Sequence, residues 1–262
     1  MHDLIFFRYP KLYNPADRVI YRKKFGYACK VAHKIVSVSK QTANDLIEFL
    51  GVNPERIEVV YQGCNTAFEI EKSIDEKNEV RKKYGLPGEF ILYVGTIEER
   101  KNLLGLVKAI YEGNIDVPLV AIGRKTDYFR QVQEFITNHK VANIIFIDTL
   151  KNEDLPAMYQ MAKVFVYPSF FEGFGIPILE SLQSGTPVIT SKGGCFPESG
   201  GSSSCYIDPL NSEEIADNLK KILSDTNLRN HMIDEGRKYA RNFSDEKIAA
   251  NMMNVYQKTL NL

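Results

Sequence analysis

Residues 89–123 read EFILYVGTIEERKNLLGLVKAIYEGNIDVPLVAIG. An apolar run, EFILYVG at 89–95, leads into a short polar loop, a helix-length segment at 102–113 and a second apolar run, VPLVAIG, at 117–123. Runs this short and this continuously apolar suit strands of a parallel sheet covered on both faces. The pattern continues downstream with NIIFID (143–148), AKVFVYP (162–168), PVITS (187–191) and CYID (205–208). Helical segments at 126–139, 152–161 and 175–185, with a short one near 195–200, separate these runs. Six strands alternating with helices predict a doubly wound α/β domain. Gly185-Thr186-Pro187 marks a helix end, and helices at about 211–224 and 226–242 close the unit.

Upstream, Asn14–Ala32 reads as a helix, Lys34–Ser39 as a strand, Gln41–Leu50 as a helix starting near Ser39, and Ile57–Tyr61 as a strand. Residues 65–80 are polar and charged and read as a linker. At the other end, 245–262 is amphipathic, with Ile248, Met252, Val255, Tyr256 and Leu260 on one side. Two strands are too few for a doubly wound domain, which grows outward from a central first strand. The first half of an N-terminal domain is therefore expected to be absent from the sequence.

Composition excludes several classes. Hydrophobic residues at 44% and charged residues at 25% describe an ordinary globular chain. Basic and acidic residues number 33 each, so no global field favours nucleic acid. Cys29, Cys64, Cys195 and Cys205 are scattered without a C-x-x-C pair, which reads as reduced thiols rather than a metal site. No apolar run approaches the roughly 20 residues needed to cross a bilayer. Locally the balance breaks: nine basic residues between Arg8 and Lys40 face Asp17 alone. Such a run can meet an anionic acceptor or a lipid headgroup layer. It can equally be one solvated helix face, balanced by Asp45, Glu48, Glu55, Glu58 and Glu69.

Two loops carry the chemistry. In the first, Gly95-Thr96-Ile97-Glu98-Glu99-Arg100-Lys101-Asn102, a strand ends at a glycine and two cations precede a helix. Ligands of such domains bind at this strand edge, where glycine lets a phosphate approach the backbone and a helix N-terminus adds donors. Arg100 can grip phosphate oxygens as a fork while Lys101 supplies a point charge. The second loop reads FEGFGIPILE at 171–180. Pro177 falls in the first turn of a helix, and backbone N–H groups around Phe174–Ile176 can meet a sugar or phosphate oxygen. Glu180, one turn in, suits a vicinal diol such as a ribose, and Glu172 can accept from sugar hydroxyls. Either glutamate alone also fits a favourable charge at a helix start.

Together, Glu172 and Glu180 spaced around Gly-Phe-Gly-Ile-Pro, some 70 residues after the Gly-x4-Arg-Lys-Asn loop, resemble the retaining glycosyltransferases of family 4. His2-Asp3-Leu4, the SVS at 37–39, the VVYQG at 59–63, the SGTPVITS at 184–191, Pro197-Glu198 and Asp208-Pro209 are similar to that family too. The resemblance implies the GT-B architecture, two Rossmann-like domains facing each other across a cleft, here with an incomplete N-terminal domain. It implies that 1–75 is the remnant of the acceptor-side domain with its linker, 76–243 the nucleotide-sugar domain, and 244–262 a helix crossing back. By the same resemblance Arg100 and Lys101 neutralise the donor diphosphate, Glu180 binds the ribose and Glu172 the transferred sugar. Gly95, Thr96 and Asn102 belong to the phosphate loop, and Gly173, Phe174, Gly175 and Ile176 contact sugar and phosphate through the backbone. Asp148–Leu150 forms the base-contacting loop, and His2 lies on the acceptor side. Thr96 departs from the family pattern, since many members carry an arginine there.

The implied reaction moves a sugar from a UDP- or GDP-sugar to a saccharide or lipid-linked saccharide with retention of configuration. Front-face attack, assisted by the leaving phosphate, needs no metal, and the sequence holds no D-x-D-type motif. Polysaccharide or lipopolysaccharide assembly in the cytoplasm, at the inner face of the membrane, is the implied setting. In full-length members His2-Asp3 falls about 100 residues in, so Met1 is expected to be an internal methionine or a truncated start. The chain would then be a truncated or split half that binds the sugar nucleotide without independent catalysis, partnered by a separate half-domain. A UDP-N-acetylhexosamine epimerase shares the architecture but lacks the paired glutamates with EGFG.

Overall fold

The computed structural model describes residues 1–260. Eight strands are present among them: β1 (Ile35–Ser37), β2 (Ile57–Val59), β3 (Ile91–Val94), β4 (Leu119–Ile122), β5 (Ile144–Ile147), β6 (Val164–Tyr167), β7 (Val188–Ser191) and β8 (Cys205–Ile207). The helices of the first third are α1 (Ile5–Arg8), α2 (Pro15–Val31), α3 (Lys40–Leu50) and α4 (Ile74–Tyr84). Then come α5 (Leu103–Glu112), α6 (Phe129–His139), α7 (Leu155–Met161), α8 (Ile176–Gln183) and α9 (Phe196–Gly200). The chain closes with α10 (Ser212–Ser224), α11 (Thr226–Ala240) and α12 (Asp245–Leu260).

The six later strands form one parallel sheet in the order β5-β4-β3-β6-β7-β8. Counted within the sheet this is the doubly wound order, which reverses between β3 and β6. Alternate side chains feed two cores. Leu92, Val120, Phe165 and Val188 face α7 and α8, while Ile91, Tyr93, Leu119, Val164 and Ile189 face α5 and α10. Both faces are buried, which is why the strands read as unbroken apolar runs. The loops after β3 and β6 leave the sheet side by side, at the point where such folds bind ligands.

β1 and β2 make a separate two-stranded parallel sheet around a small core of Leu4, Phe6, Ile35, Leu46 and Val52. The stretch 65–80, read as a linker, is regular structure in part. From Ile74 it is helix α4, opened by a reciprocal cap between Ser73 and Glu76 and closed by Gly85 at a φ of 62°. Only Val80 of α4 is buried, so the helix carries no apolar stripe to announce it. It is fixed instead by its caps and by Asp154, which receives both Lys83 Nζ (2.6 Å) and the Tyr84 hydroxyl (2.7 Å). On α12, Val255 is buried while Tyr256 and Leu260 of the predicted stripe are exposed. Lys258 reaches Glu58 of β2 at 3.5 Å, and the last two residues of the predicted 245–262 helix lie outside the described residues.

Candidate active site

β3 is followed by Gly95, whose φ of 149° disfavours side chains and whose missing Cβ leaves room for Lys101; a Cβ would meet its Cδ at 3.0 Å. The following loop closes in a single turn of 3-10 helix, Glu99–Lys101. Asn102 then caps α5: its Oδ1 accepts from Gly105 N (3.2 Å) and its Nδ2 donates to Pro209 O (2.7 Å). Both polar ends of the Asn102 side chain thereby hold the loop to α5 and to Pro209. The backbone of Phe170 donates to Arg100 O at 2.8 Å, which joins the two loops.

At that junction Arg100, Lys101 and Glu172 meet. Arg100 Nη1 lies 2.7 Å from Glu172 Oε2 and also donates to Phe171 O, while its Nη2 lies 2.6 Å from Glu98. Lys101 Nζ stands 3.8 Å from Glu172 Oε1 and donates to the Tyr167 hydroxyl at 3.3 Å. Arg100, Lys101 and Glu172 side chains are only 11%, 14% and 12% exposed, so their charges act through a medium far less screening than water. Burial works against the Arg100 charge, but Glu172 and then Glu98 outweigh it and hold its pKa above the ordinary value.

Two buried tyrosines position the two glutamates, and sequence reading missed both. The Tyr167 hydroxyl donates to Glu172 Oε1 at 2.8 Å, and the Tyr159 hydroxyl to Glu180 Oε2 at 2.9 Å. Burial, then Glu172, pushes the Tyr167 pKa well up; burial, then Glu180, does the same for Tyr159. Each phenol therefore stays a donor. Glu180 has its own pKa raised by burial, against the pull of the Tyr159 hydrogen bond and the Lys101 charge. Both tyrosines look in sequence like ordinary core aromatics, and only the tertiary contact gives them a task.

The glycine-rich loop is clasped from the N-terminal side. Ser39 Oγ and Thr42 Oγ1 donate to Gly173 O at 2.6 and 3.3 Å, and a Cβ on Gly173 would overlap the His2 carbonyl oxygen. Lys40 N and Gln41 N, the first N–H groups of α3, donate to the Glu198 carboxylate at 2.8 and 3.2 Å. Phe174 is buried and stacks on Tyr61, with ring centroids 5.5 Å apart, so its ring serves the junction between the two sheets. Gly175 (φ 100°) opens α8 at Ile176, and Thr96 accepts from Glu98 N through its backbone. The exposed His2 ring has Nδ1 3.3 Å from Gln62 Nε2. Leu150 is half-buried at the margin of the core, and among the described residues no hydrogen bond or ion pair ties it to the Arg100 cluster.

A cavity of about 340 Å³ opens beside Arg100, between Glu99 and Phe170 on one wall and Arg8–Leu12 on the other. A larger one of about 740 Å³ lies off this site and includes Glu112, Asp208, Glu213 and Asp217, which is the wrong sign for a phosphate.

The family model "Glycosyl transferases group 1" matches residues 76–239, and "Glycosyltransferase Family 4" matches residues 1–68. The chain is 32% identical to the O-antigen chain mannosyltransferase B of Escherichia coli, over 98% of this chain and 68% of that protein. It is 28% identical to the serotype-specific mannosyltransferase WbdA of Escherichia coli, over 91% of this chain but 31% of that protein. The crystal structure of Anabaena Alr3699/HepE in complex with UDP-glucose superimposes with a TM-score of 0.84 at 18% identity, over 100% of this chain and 71% of that one. With more than half of its length inside one family model, the chain belongs to the glycosyl transferases of group 1, which have the GT-B fold.

Proposed function

We propose that the chain transfers a hexosyl unit from a nucleoside-diphosphate sugar to a saccharide or lipid-linked saccharide of a cell-surface polysaccharide, with retention of configuration. The observation that carries this reading is the meeting of Arg100, Lys101 and Glu172 where the strand order reverses. Cleaving a glycosyl–phosphate bond builds negative charge on the leaving diphosphate, and two fixed, largely buried cations stabilise it as it forms. Glu172 takes hydroxyls of the transferred sugar and Glu180 the ribose, with the phosphates against Gly95 and the start of α8. The donor thus belongs to 76–243. The acceptor enters through the cavity between Arg100 and Arg8–Leu12, with His2 on its side of the cleft. Arg22, Lys23, Lys24 and Lys30 of α2, beside exposed Ile20 and Tyr27, would face an anionic membrane carrying that acceptor. The names of the O-antigen and WbdA relatives support mannose as the sugar.

A calorimetric and thermal-shift screen of UDP-, GDP- and ADP-sugars tests the assignment, with Glu180→Ala as control. One sugar nucleotide is expected to bind and stabilise the wild type, and the variant to lose about tenfold in affinity, the scale of hydrogen bonds to a charged group. Equal binding by the variant, or no binding by either, would sink the site assignment. A second reading, donor binding without independent turnover, rests on the small N-terminal sheet, which among the described residues consists of β1 and β2 alone. Product formed by the purified chain excludes it, and the anomeric configuration of that product tests retention.

A further inference from the structure

The candidate donor site already holds an anion of its own. One Glu172 oxygen lies 2.7 Å from Arg100 Nη1, the other 3.8 Å from Lys101 Nζ, and the Tyr167 hydroxyl steadies the carboxylate at 2.8 Å. Arg100 Nη2 is engaged by Glu98, so Glu172 occupies the other end of the guanidinium fork. A diphosphate cannot take both cations until this carboxylate turns away. Once turned, a carboxylate that is nearly nine-tenths buried is left without a counter-charge and needs new donors. It is an acceptor only, so hydroxyl groups can supply them. A sugar attached to the diphosphate brings such hydroxyls; the diphosphate by itself brings none.

We propose that Glu172 is the resident counter-anion of Arg100 and Lys101. Donor binding is then an exchange: the diphosphate takes the cations, and the released carboxylate takes the hydroxyls of the attached sugar. The inference rests on the donor-site reading above and adds to it a rule of discrimination. A sugar nucleotide satisfies both the cations and Glu172. The bare nucleoside diphosphate, which is the product, satisfies the cations and strands Glu172. The site therefore selects against its own product, and the return of Glu172 to Arg100 helps expel it.

Titration calorimetry of the full chain with UDP against UDP-glucose, and GDP against GDP-mannose, tests the exchange. Glu172→Gln keeps the shape and removes the charge. It is expected to bind the bare diphosphate roughly tenfold more tightly than wild type, as expected when one charge-assisted competitor is lost. The sugar nucleotide should gain less or lose, so the preference for it over the diphosphate collapses. Glu98→Gln removes a neighbouring charge with no part in the exchange and should shift both ligands by the same factor. Tyr167→Phe, which loosens the carboxylate without removing it, should move the preference in the same direction by less, and serves if Glu172→Gln folds poorly. A Glu172→Gln protein that binds the diphosphate no more tightly, or shifts both ligands equally as Glu98→Gln does, overturns the proposal. Absence of binding by every protein, wild type included, would instead remove the donor-site reading on which it stands.

Discussion

Tyr159 is fully buried, and its hydroxyl is the hydrogen-bond partner that keeps the Glu180 carboxylate in place. Burial alone lifts the Glu180 pKa above its ordinary 4.5, and the phenol opposes that lift. The sign of the linkage follows. Because the folded-state value is raised, Glu180 favours the fold most when protonated, and this contribution is lost as pH climbs from about 4.5 through the folded value. The ribose recognition proposed for Glu180 wants the opposite form, the carboxylate. Tyr159→Phe removes a donor that favours the ion, so the acid limb of donor affinity should move to higher pH. Affinity at neutral pH should also fall, by about tenfold, the measure of one hydrogen bond to a charged group. A merely structural tyrosine would lower the melting temperature and leave the midpoint of the pH profile unmoved, which titration at several pH values distinguishes.

Helix α3 shows which parts of the elements could be read from sequence. Its start is written locally: Ser39 accepts from Thr42 N as an N-cap, and Gly51 closes the helix at a φ of 61°. The strands of the large sheet were equally legible, because burial on both faces forces continuous apolar runs. The two cations and two glutamates were legible as residue types at matching loop ends. What sequence could not show was who faces whom. Glu198 caps α3 from 157 and 158 residues away, and Tyr159 and Tyr167 meet their glutamates only once the sheet has formed. Helix α4 was read as a linker for the converse reason, since its caps are local but its single buried residue gives no periodicity. The Glu198 cap also has a measurable worth. Glu198→Ala strips the acceptor from two N–H groups at the positive end of α3 and is expected to cost about 1–2 kcal/mol. At this chain length that lowers Tm by roughly 2–4 °C. Faster amide exchange should appear at the start of α3; an unchanged Tm and exchange pattern would show that the carboxylate contributes nothing there.

At the scale of the molecule, the N-terminal segment depends on the large domain for its stability. Its core comprises only a few buried side chains around Leu4, Phe6, Ile35, Leu46 and Val52, and so few cannot offset the chain entropy of some 60 residues. The remaining stabilisation comes from the clasp on the glycine-rich loop: Ser39 and Thr42 on Gly173, Glu198 on α3, and Tyr61 against Phe174. The same clasp holds the loop that carries Glu172. Gly173 is its tightest point, because a Cβ there would overlap the His2 carbonyl. Gly173→Ala should therefore part the N-terminal segment from the loop while leaving the six-stranded sheet intact, since that sheet keeps both of its own cores. Limited proteolysis should then cut within α2 and the flanking turns well before it touches the large domain, and calorimetry should resolve a separate early transition. Wild type should melt in one step and resist cleavage at α2. A Gly173→Ala protein with a single wild-type-like transition and an equally resistant α2 would mean that the segment folds without the clasp, and that the loop carrying Glu172 is held by the large domain alone.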